Sequence, residues 1–379
     1  MIYFDAAATT KPSKTAIKTF VDVSENCWFN PSSTMYDGGR DARNLLEQSR
    51  ATIARCINAE PEQIIFTSGS TEAANLVLNS SDAFTCYCSP IEHPCVYNPV
   101  YTMWEGFDEI PVSRLGVADI NRMFNIMYGD NRRHFWDTLV CLMFANNELG
   151  SVQNIYGVTH NDAVPRMDYK VMCDMTQSFA HGNSTQIDVK YYDVDYAFGS
   201  AQKFGAFKGT GFLYAKDPST LNNLMYGGHQ ENNLRPGTEN VAGIAAMAAQ
   251  FDEVCRQRDY NYWLSQKLRN YIIDRLPDCA RVNGGERVLP NILSVTLDGI
   301  DANKLIAFLN LDGIYLSAGS ACSTGENKPS RILKACGFTD DEARSTIRIS
   351  FTAENTIEEA TKLVNQIDYH IKEGLCKLE

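Results

Sequence analysis

The feature that most restricts this chain is a series of short apolar runs, each ending in small and polar residues. Ile64-Ile65-Phe66 leads into Thr67-Ser68-Gly69-Ser70-Thr71-Glu72, and Phe84 to Cys88 leads into Ile91-Glu92-His93-Pro94. Thr138 to Phe144 ends in Ala145-Asn146-Asn147-Glu148, Lys170 to Cys173 ends at Asp174, and Asp195 to Phe198 ends near Lys203. Runs without polar alternation are buried on both faces, which predicts an α/β protein with a mostly parallel sheet covered by crossover helices. In such sheets ligands bind beyond the carboxyl ends of the strands, where these clusters fall. Thr210 to Tyr214 reads as one further strand.

Two of these clusters carry chemistry. Lys203 lies in Phe198-Gly199-Ser200-Ala201-Gln202-Lys203-Phe204-Gly205, among small and apolar neighbours. Small residues let a bulky planar ligand approach the backbone, and an apolar setting lets an amine lose its charge, as a Schiff-base lysine must. Most lysines are solvated surface charges, so Lys203 alone says little. Asp174, at the end of a neighbouring run, adds weight: a pyridoxal phosphate site needs a lysine and a carboxylate for the ring nitrogen. Ser70 and Thr71 open a helix whose N-terminus suits a phosphate, although a plain Ser/Thr cap explains them as simply.

The rest of the chain sets bounds. At 379 residues it is expected to form about two domains. A net charge of −12 argues against a nucleic-acid-coating surface, and Asn131-Arg132-Arg133-His134, the only short basic candidate, reads as a solvated loop. The N-terminus lacks a signal-peptide pattern, and the longest near-apolar stretch, Val241 to Ala249, is too short to span a bilayer. Twelve scattered cysteines suit reduced thiols in a cytoplasmic protein, and none has zinc-site spacing, so no metal is expected. Pro12 disfavours an early helix, Gly39 to Cys56 is helical in pattern, and so is Val241 to about Leu276. The domain boundary falls within that last helix. The remaining strands (Asn291 to Leu297, Ile314 to Ser317, Thr346 to Phe351) and helices (Asp301 to Asn310, Ser330 to Ala335, Thr356 to Lys372) suggest a small α+β domain.

These clusters, in order and over nearly the full length, resemble the motifs of the cysteine desulfurases, class V pyridoxal-phosphate enzymes of fold type I. The resemblance rests on Asp5-Ala6-Ala7-Ala8-Thr9-Thr10, Asn30-Pro31-Ser32-Ser33, Thr67 to Glu72, Glu92-His93 and Asn146 to Gly150. It continues through Asp174-Met175-Thr176-Gln177, Arg235-Pro236-Gly237-Thr238, Ser317 to Cys322, and Ser345-Thr346-Ile347-Arg348. It implies a large cofactor domain over residues 15–255, a small domain over 256–379 carrying the catalytic cysteine, and residues 1–14 packing with the small domain.

The resemblance also implies roles. Lys203 would bind pyridoxal 5'-phosphate covalently, Asp174 would keep the ring nitrogen protonated, and Gln177 and Asn147 would contact the ring oxygen or substrate. His93 would stack on the ring and could shuttle a proton. Ser70, Thr71, Ser200 and Gln202 would hold the phosphate, with Thr238 reaching in from the second subunit of a homodimer. Arg348 would clamp the substrate carboxylate. Cys322, in a segment whose small residues suggest mobility, would take the sulfur of L-cysteine as a persulfide, leaving L-alanine, and deliver it to an acceptor protein. Gln202 and Met35 depart from the family, which commonly has histidine at both places. The spacing from Cys322 to Pro329-Ser330 resembles the branch with the longer cysteine loop.

A selenocysteine lyase, a class V aminotransferase and a cofactor-free sulfur carrier are the alternatives. Cys322 counts against the aminotransferase, and the set Lys203, Asp174, His93 and Arg348 against the carrier. The sequence leaves open whether the sulfur serves iron–sulfur assembly, transfer-RNA thiolation or DNA phosphorothioation.

Overall fold

The computed structural model describes residues 1–81, 83, 85–104, 106–129, 138–161, 169–318 and 329–378. Its strands, in chain order, are β1 (Ile2–Tyr3), β2 (Ile64–Thr67), β3 (Thr85–Cys88), β4 (Asp108–Glu109), β5 (Thr138–Cys141), β6 (Lys170–Asp174), β7 (Tyr196–Ser200) and β8 (Gly211–Ala215). They continue with β9 (Ala280–Val282), β10 (Ile292–Leu297), β11 (Ile314–Tyr315), β12 (Ser317–Ala318) and β13 (Thr346–Ser350). Among the described residues, seven strands form the large sheet in the order β2-β8-β7-β6-β5-β3-β4. All run parallel except β8, which is antiparallel to both neighbours.

Both faces of this sheet are buried, as the unbroken apolar runs require. Alternate residues enter opposite cores: Tyr87, Val140, Val171, Cys173 and Ala197 pack on one face, and Cys86, Cys88, Leu139, Cys141, Met172 and Phe198 on the other. Each fully buried aliphatic or aromatic side chain contributes about 1.5–3 kcal/mol relative to exposure. The strand β5 stops at Cys141, although the apolar run continues to Phe144.

A second core gathers Leu293, Val295, Leu297, Ile347 and Ile349 from the antiparallel sheet β12-β13-β10-β9, with Phe351 just past β13. Leu305 and Leu309 of the helix Ala302–Leu311 and Leu363 and Ile367 of the helix Ile357–Lys372 cover it. One long helix, Val241–Ile273, serves both cores, with Ile244, Met247 and Phe251 in the first and Leu268 and Ile272 in the second. The N-terminus also joins the second core: β1 pairs with β11, and Phe4 is buried there. No helix among the described residues is long and apolar enough to cross a membrane.

An early helix, Lys14–Asn26, forms despite Pro12. Proline precedes the cap residue Ser13, so its missing N–H and fixed φ fall outside the helical ladder. Ser13 Oγ accepts from the Ala16 N–H at 3.0 Å and starts the helix. A second unexpected element is a buried ion pair. Arg50 donates to Glu231 through both terminal nitrogens, at 2.8 and 2.7 Å, and Glu231 also accepts from the Phe66 N–H at 2.8 Å. Glu231, Asn232 and Asn233 all have left-handed backbones, with φ of 46°, 56° and 69°. Such strain persists only where surrounding contacts hold it, and here Glu231 fastens the polar loop before Asn240 to β2.

Candidate active site

The carboxyl ends of the parallel strands open into a cavity of about 390 Å³. Ser70, Thr71, His93, Asn147, Asp174, Gln177, Ser200, Gln202, Lys203 and Arg348 all line it. Each sits at or after the carboxyl end of a strand of the large sheet except Arg348, which comes from β13 of the other core. Thr238 is exposed and does not line this cavity, and the same holds for Met35, at 92% exposure. Cys322 and the basic cluster Asn131 to His134 lie outside the described residues.

The lysine is positioned by its backbone. A short 3₁₀ turn, Ala201–Lys203, follows β7, and Lys203 Nζ donates to the carbonyls of Ala7 and Ala8 at 2.8 Å each. The buried carboxylate of Asp174 ends β6, and its Oδ1 accepts from the Thr176 N–H at 2.9 Å. Gln177 Nε2 donates to the Ala7 carbonyl at 3.1 Å. Gln202 Oε1 accepts from Thr9 Oγ1 at 3.3 Å, and its backbone carbonyl accepts from both donors of Thr10.

At the opposite end, the helix Ser70–Ser80 begins at Gly69 with no side chain capping it. The plain Ser/Thr cap is therefore not what the chain uses here. Ser70 Oγ instead lies 2.8 Å from Thr176 Oγ1. A Cβ added at Gly211 would fall 2.6 Å from the Gly69 Cα, so β8 can approach this turn only because Gly211 lacks a side chain, while the φ of +150° at Gly69 is one that favours glycine. The result is a helix N-terminus with hydroxyls facing a cavity, a setting that favours an anion.

His93 caps the helix Pro94–Met103 through Nδ1, which accepts from the Cys95 N–H at 3.1 Å. That acceptor role leaves the ring proton on Nε2. Burial lowers the pKa of His93; Asp174 opposes this and Lys203 reinforces it, so the neutral ring is favoured. Arg348 is 2% exposed, donates Nη2 to Asp5 Oδ1 at 2.7 Å and Nη1 to the Asn147 carbonyl at 3.0 Å, and leaves Nε without a partner. The side-chain oxygens of Asn147 and Gln177 are likewise buried without partners.

Behind the cavity, Glu92 is 1% exposed, and burial pushes its carboxyl up to about 8, although the Met143 N–H donates to Oε1 at 2.6 Å. Burial also raises Glu148 to about 7, against a 2.5 Å hydrogen bond from Ser330. An unfolded glutamate releases its proton near 4.5, so between that pH and about 8 the folded state holds protons the unfolded state has lost. Rising pH therefore favours unfolding across this window. Glu92→Gln, which cannot titrate and keeps an acceptor for Met143, should flatten the decline of Tm between about pH 5 and 8. A variant with the wild-type slope would show that Glu92 ionises normally.

Residues with no predicted role also line the cavity: Ser68, Glu72, Thr176, Met143, Gly209 and the backbone of Ala7 and Ala8. Glu72 accepts from the Ser68 N–H and from Arg235, both at 2.9 Å. Thr176 was within reach of sequence reasoning, since Asp174 two residues earlier is the usual start of an Asx turn.

Comparison with known proteins adds an independent view. The model of the family "Aminotransferase class-V" matches residues 2–363. A curated protein of Bacillus subtilis (strain 168), named putative cysteine desulfurase IscS 1, is 32% identical over 372 residues, covering 94% of this chain and 95% of its own. Among solved structures, one titled NifS-like protein superposes with TM-score 0.88 at 28% identity, over 98% of this chain and 99% of that one. Another, titled SspA in complex with cysteine, gives TM-score 0.78 at 28% identity, over 94% and 100%.

Proposed function

Because the chain belongs to the cysteine desulfurases of the class V aminotransferase family, we propose that its cavity converts L-cysteine to L-alanine and passes the sulfur to Cys322. The observation that carries this reading is the convergence of Lys203, Asp174, His93 and Arg348 on one cavity at the strand ends. Together they supply an amine, a buried carboxylate, an imidazole held towards neutrality and a guanidinium. Pyridoxal 5'-phosphate, the cofactor of this reading, supplies when bound a ring that accepts electrons from the substrate.

The residues present fit that group. Ser70, Thr71 and Ser200 and the uncapped helix start suit its phosphate, and Asp174 suits a protonated ring nitrogen. The amides of Asn147 and Gln177 hold unpartnered buried atoms, and either can turn to offer N–H to a ring or substrate oxygen. Lys203, held between two carbonyls, is the amine for covalent attachment, and Gln202 lies beside it. His93 Nε2 can give a proton, and Nδ1 is already satisfied. Arg348 binds the substrate carboxylate, which must share or replace Asp5. Incubating the cofactor-loaded protein with L-cysteine and a reductant should release alanine and sulfide in equal amounts. Alanine from other amino acids, or none at all, would reject the reading.

The second subunit of a homodimer completes the site through Thr238. Its exposure, outside its own chain's cavity, supports this arrangement. Thr238→Ala should weaken cofactor retention by about 1.5–3 kcal/mol, the usual loss for a hydrogen bond to a charged group. Mixed dimers separate the geometries: a mutant subunit should impair its partner's site, and damage confined to its own site would refute the trans assignment. The acceptor of the sulfur is a protein reached by Cys322.

A further inference from the structure

Two residues that follow Pro329 grip the turns beside two cavity residues. Ser330 Oγ donates to Glu148 Oε2 at 2.5 Å, one residue after Asn147. Arg331 donates Nη1 to the Pro90 carbonyl and Nη2 to the Glu92 carbonyl, the latter at 2.5 Å and one residue before His93. Asn146 Nδ2 donates to the carbonyl between them, that of Ile91, at 2.9 Å. Three successive carbonyls of this turn are thus held by side chains from elsewhere in the sequence. Buried carbonyls outside a helix or sheet ladder need such donors, and a planar guanidinium fork can serve two of them at once.

The same guanidinium lies over the Tyr97 ring, 4.0 Å from its centroid. Tyr97 belongs to the helix Pro94–Met103, which His93 caps. Arg331 therefore braces His93 from both sides, through hydrogen bonds to the turn before it and a cation–π contact to the helix after it. The short helix Arg331–Ala335 that bears the arginine is itself fixed, because Ile332 and Leu333 pack with Ile91, Met143 and Leu149 in one small core. Arg331 does not line the cavity. Its charge still reaches the imidazole: burial is the main cause of the lowered His93 pKa, Asp174 opposes it, and Lys203 and Arg331 add to it.

We propose that Arg331 is a positioning residue for His93, holding residues 90–92 and the helix behind them so that the imidazole faces the cavity. This role presupposes the desulfurase reading, in which His93 moves a proton. A positioned proton-transfer group contributes about 10²–10⁴-fold to rate, and a small misplacement forfeits part of that. Arg348, which binds the substrate carboxylate on that reading, comes from the other core and does not touch this brace. The loss on removing Arg331 should therefore fall on kcat rather than KM.

The test compares the full-length, cofactor-loaded wild type with Arg331→Met, which keeps an unbranched stem but neither donor nor charge. For L-cysteine, kcat should fall at least about tenfold while KM changes less than about twofold. A second readout needs no turnover. The chain has six histidines, so His93→Gln identifies the ring signal of His93 in an NMR titration. Its midpoint should move to higher pH in Arg331→Met, because a cation that opposes protonation is gone. A wild-type kcat or an unmoved midpoint would overturn the proposal. Arg331→Lys keeps the charge without the planar pair of donors, and serves if the first variant does not fold. It should titrate as the wild type does and lose at least about threefold in kcat, and an undiminished kcat would overturn the proposal. Wild-type protein that releases no alanine from L-cysteine would instead reject the desulfurase reading, and the ring titration then decides the role of Arg331 alone.

Discussion

Replacing Lys203 by alanine is expected to lower L-cysteine turnover by about three orders of magnitude, the scale of losing a positioned proton-transfer group and nucleophile. The variant loses the amine that donates to the Ala7 and Ala8 carbonyls, at a cost of about 1.5–3 kcal/mol for each hydrogen bond. The large core contains no atom of this side chain, so the fold should survive. The checks are the visible absorption of the protein with pyridoxal phosphate, which should be lost, and a urea titration, which should remain a cooperative transition. Wild-type colour and turnover in Lys203→Ala would remove the lysine from the proposed chemistry.

The second large effect belongs to Cys322→Ser. Serine is similar in size, but its hydroxyl ionises far less readily than a thiol, so it cannot take the sulfur. Turnover of L-cysteine should fall at least about a hundredfold. Colour and the spectral response to L-cysteine should remain, because Lys203, Asp174 and Arg348 are untouched. Wild-type protein given cysteine without reductant should gain one sulfur on the peptide containing Cys322. Undiminished turnover in the variant, or sulfur on another cysteine, would reject the assignment. A variant that loses cysteine turnover but still acts on selenocysteine would favour the lyase, because selenium can leave without a protein thiol.

The site was legible where side chains and strand ends coincide. Asp174 ends, and Lys203 follows, a run too apolar to be anything but a buried strand, and the gathering of strand carboxyl ends at one edge of a parallel sheet then brings them to one cavity. Backbone partners left no such trace. The carbonyls of Ala7 and Ala8 hold the lysine, yet alanine has no side chain to advertise a role. The Arg50–Glu231 pair was illegible for a different reason: its partners stand 181 positions apart, and within the helix Asp37–Cys56 an arginine reads as a surface residue. The Lys14–Asn26 helix was lost to Pro12, which lies one residue before the cap rather than inside the ladder. The antiparallel direction of β8 was also beyond reach, because apolar runs do not encode strand polarity.

Residues 2–10 connect almost everything described. Ile2 and Tyr3 pair with β11, Asp5 meets Arg348, Ala7 and Ala8 meet Lys203, and Thr9 and Thr10 meet Gln202. Mechanically this stretch is a tether between the two cores, with the Lys203 amine held against its carbonyls. A carboxylate that competes with Asp5 for Arg348 pulls on the same backbone whose carbonyls, two and three residues on, restrain the lysine. On the proposed function, recognition at one end of the tether and freedom of the amine at the other would be a single displacement, and slack introduced between them by an inserted residue would uncouple the two.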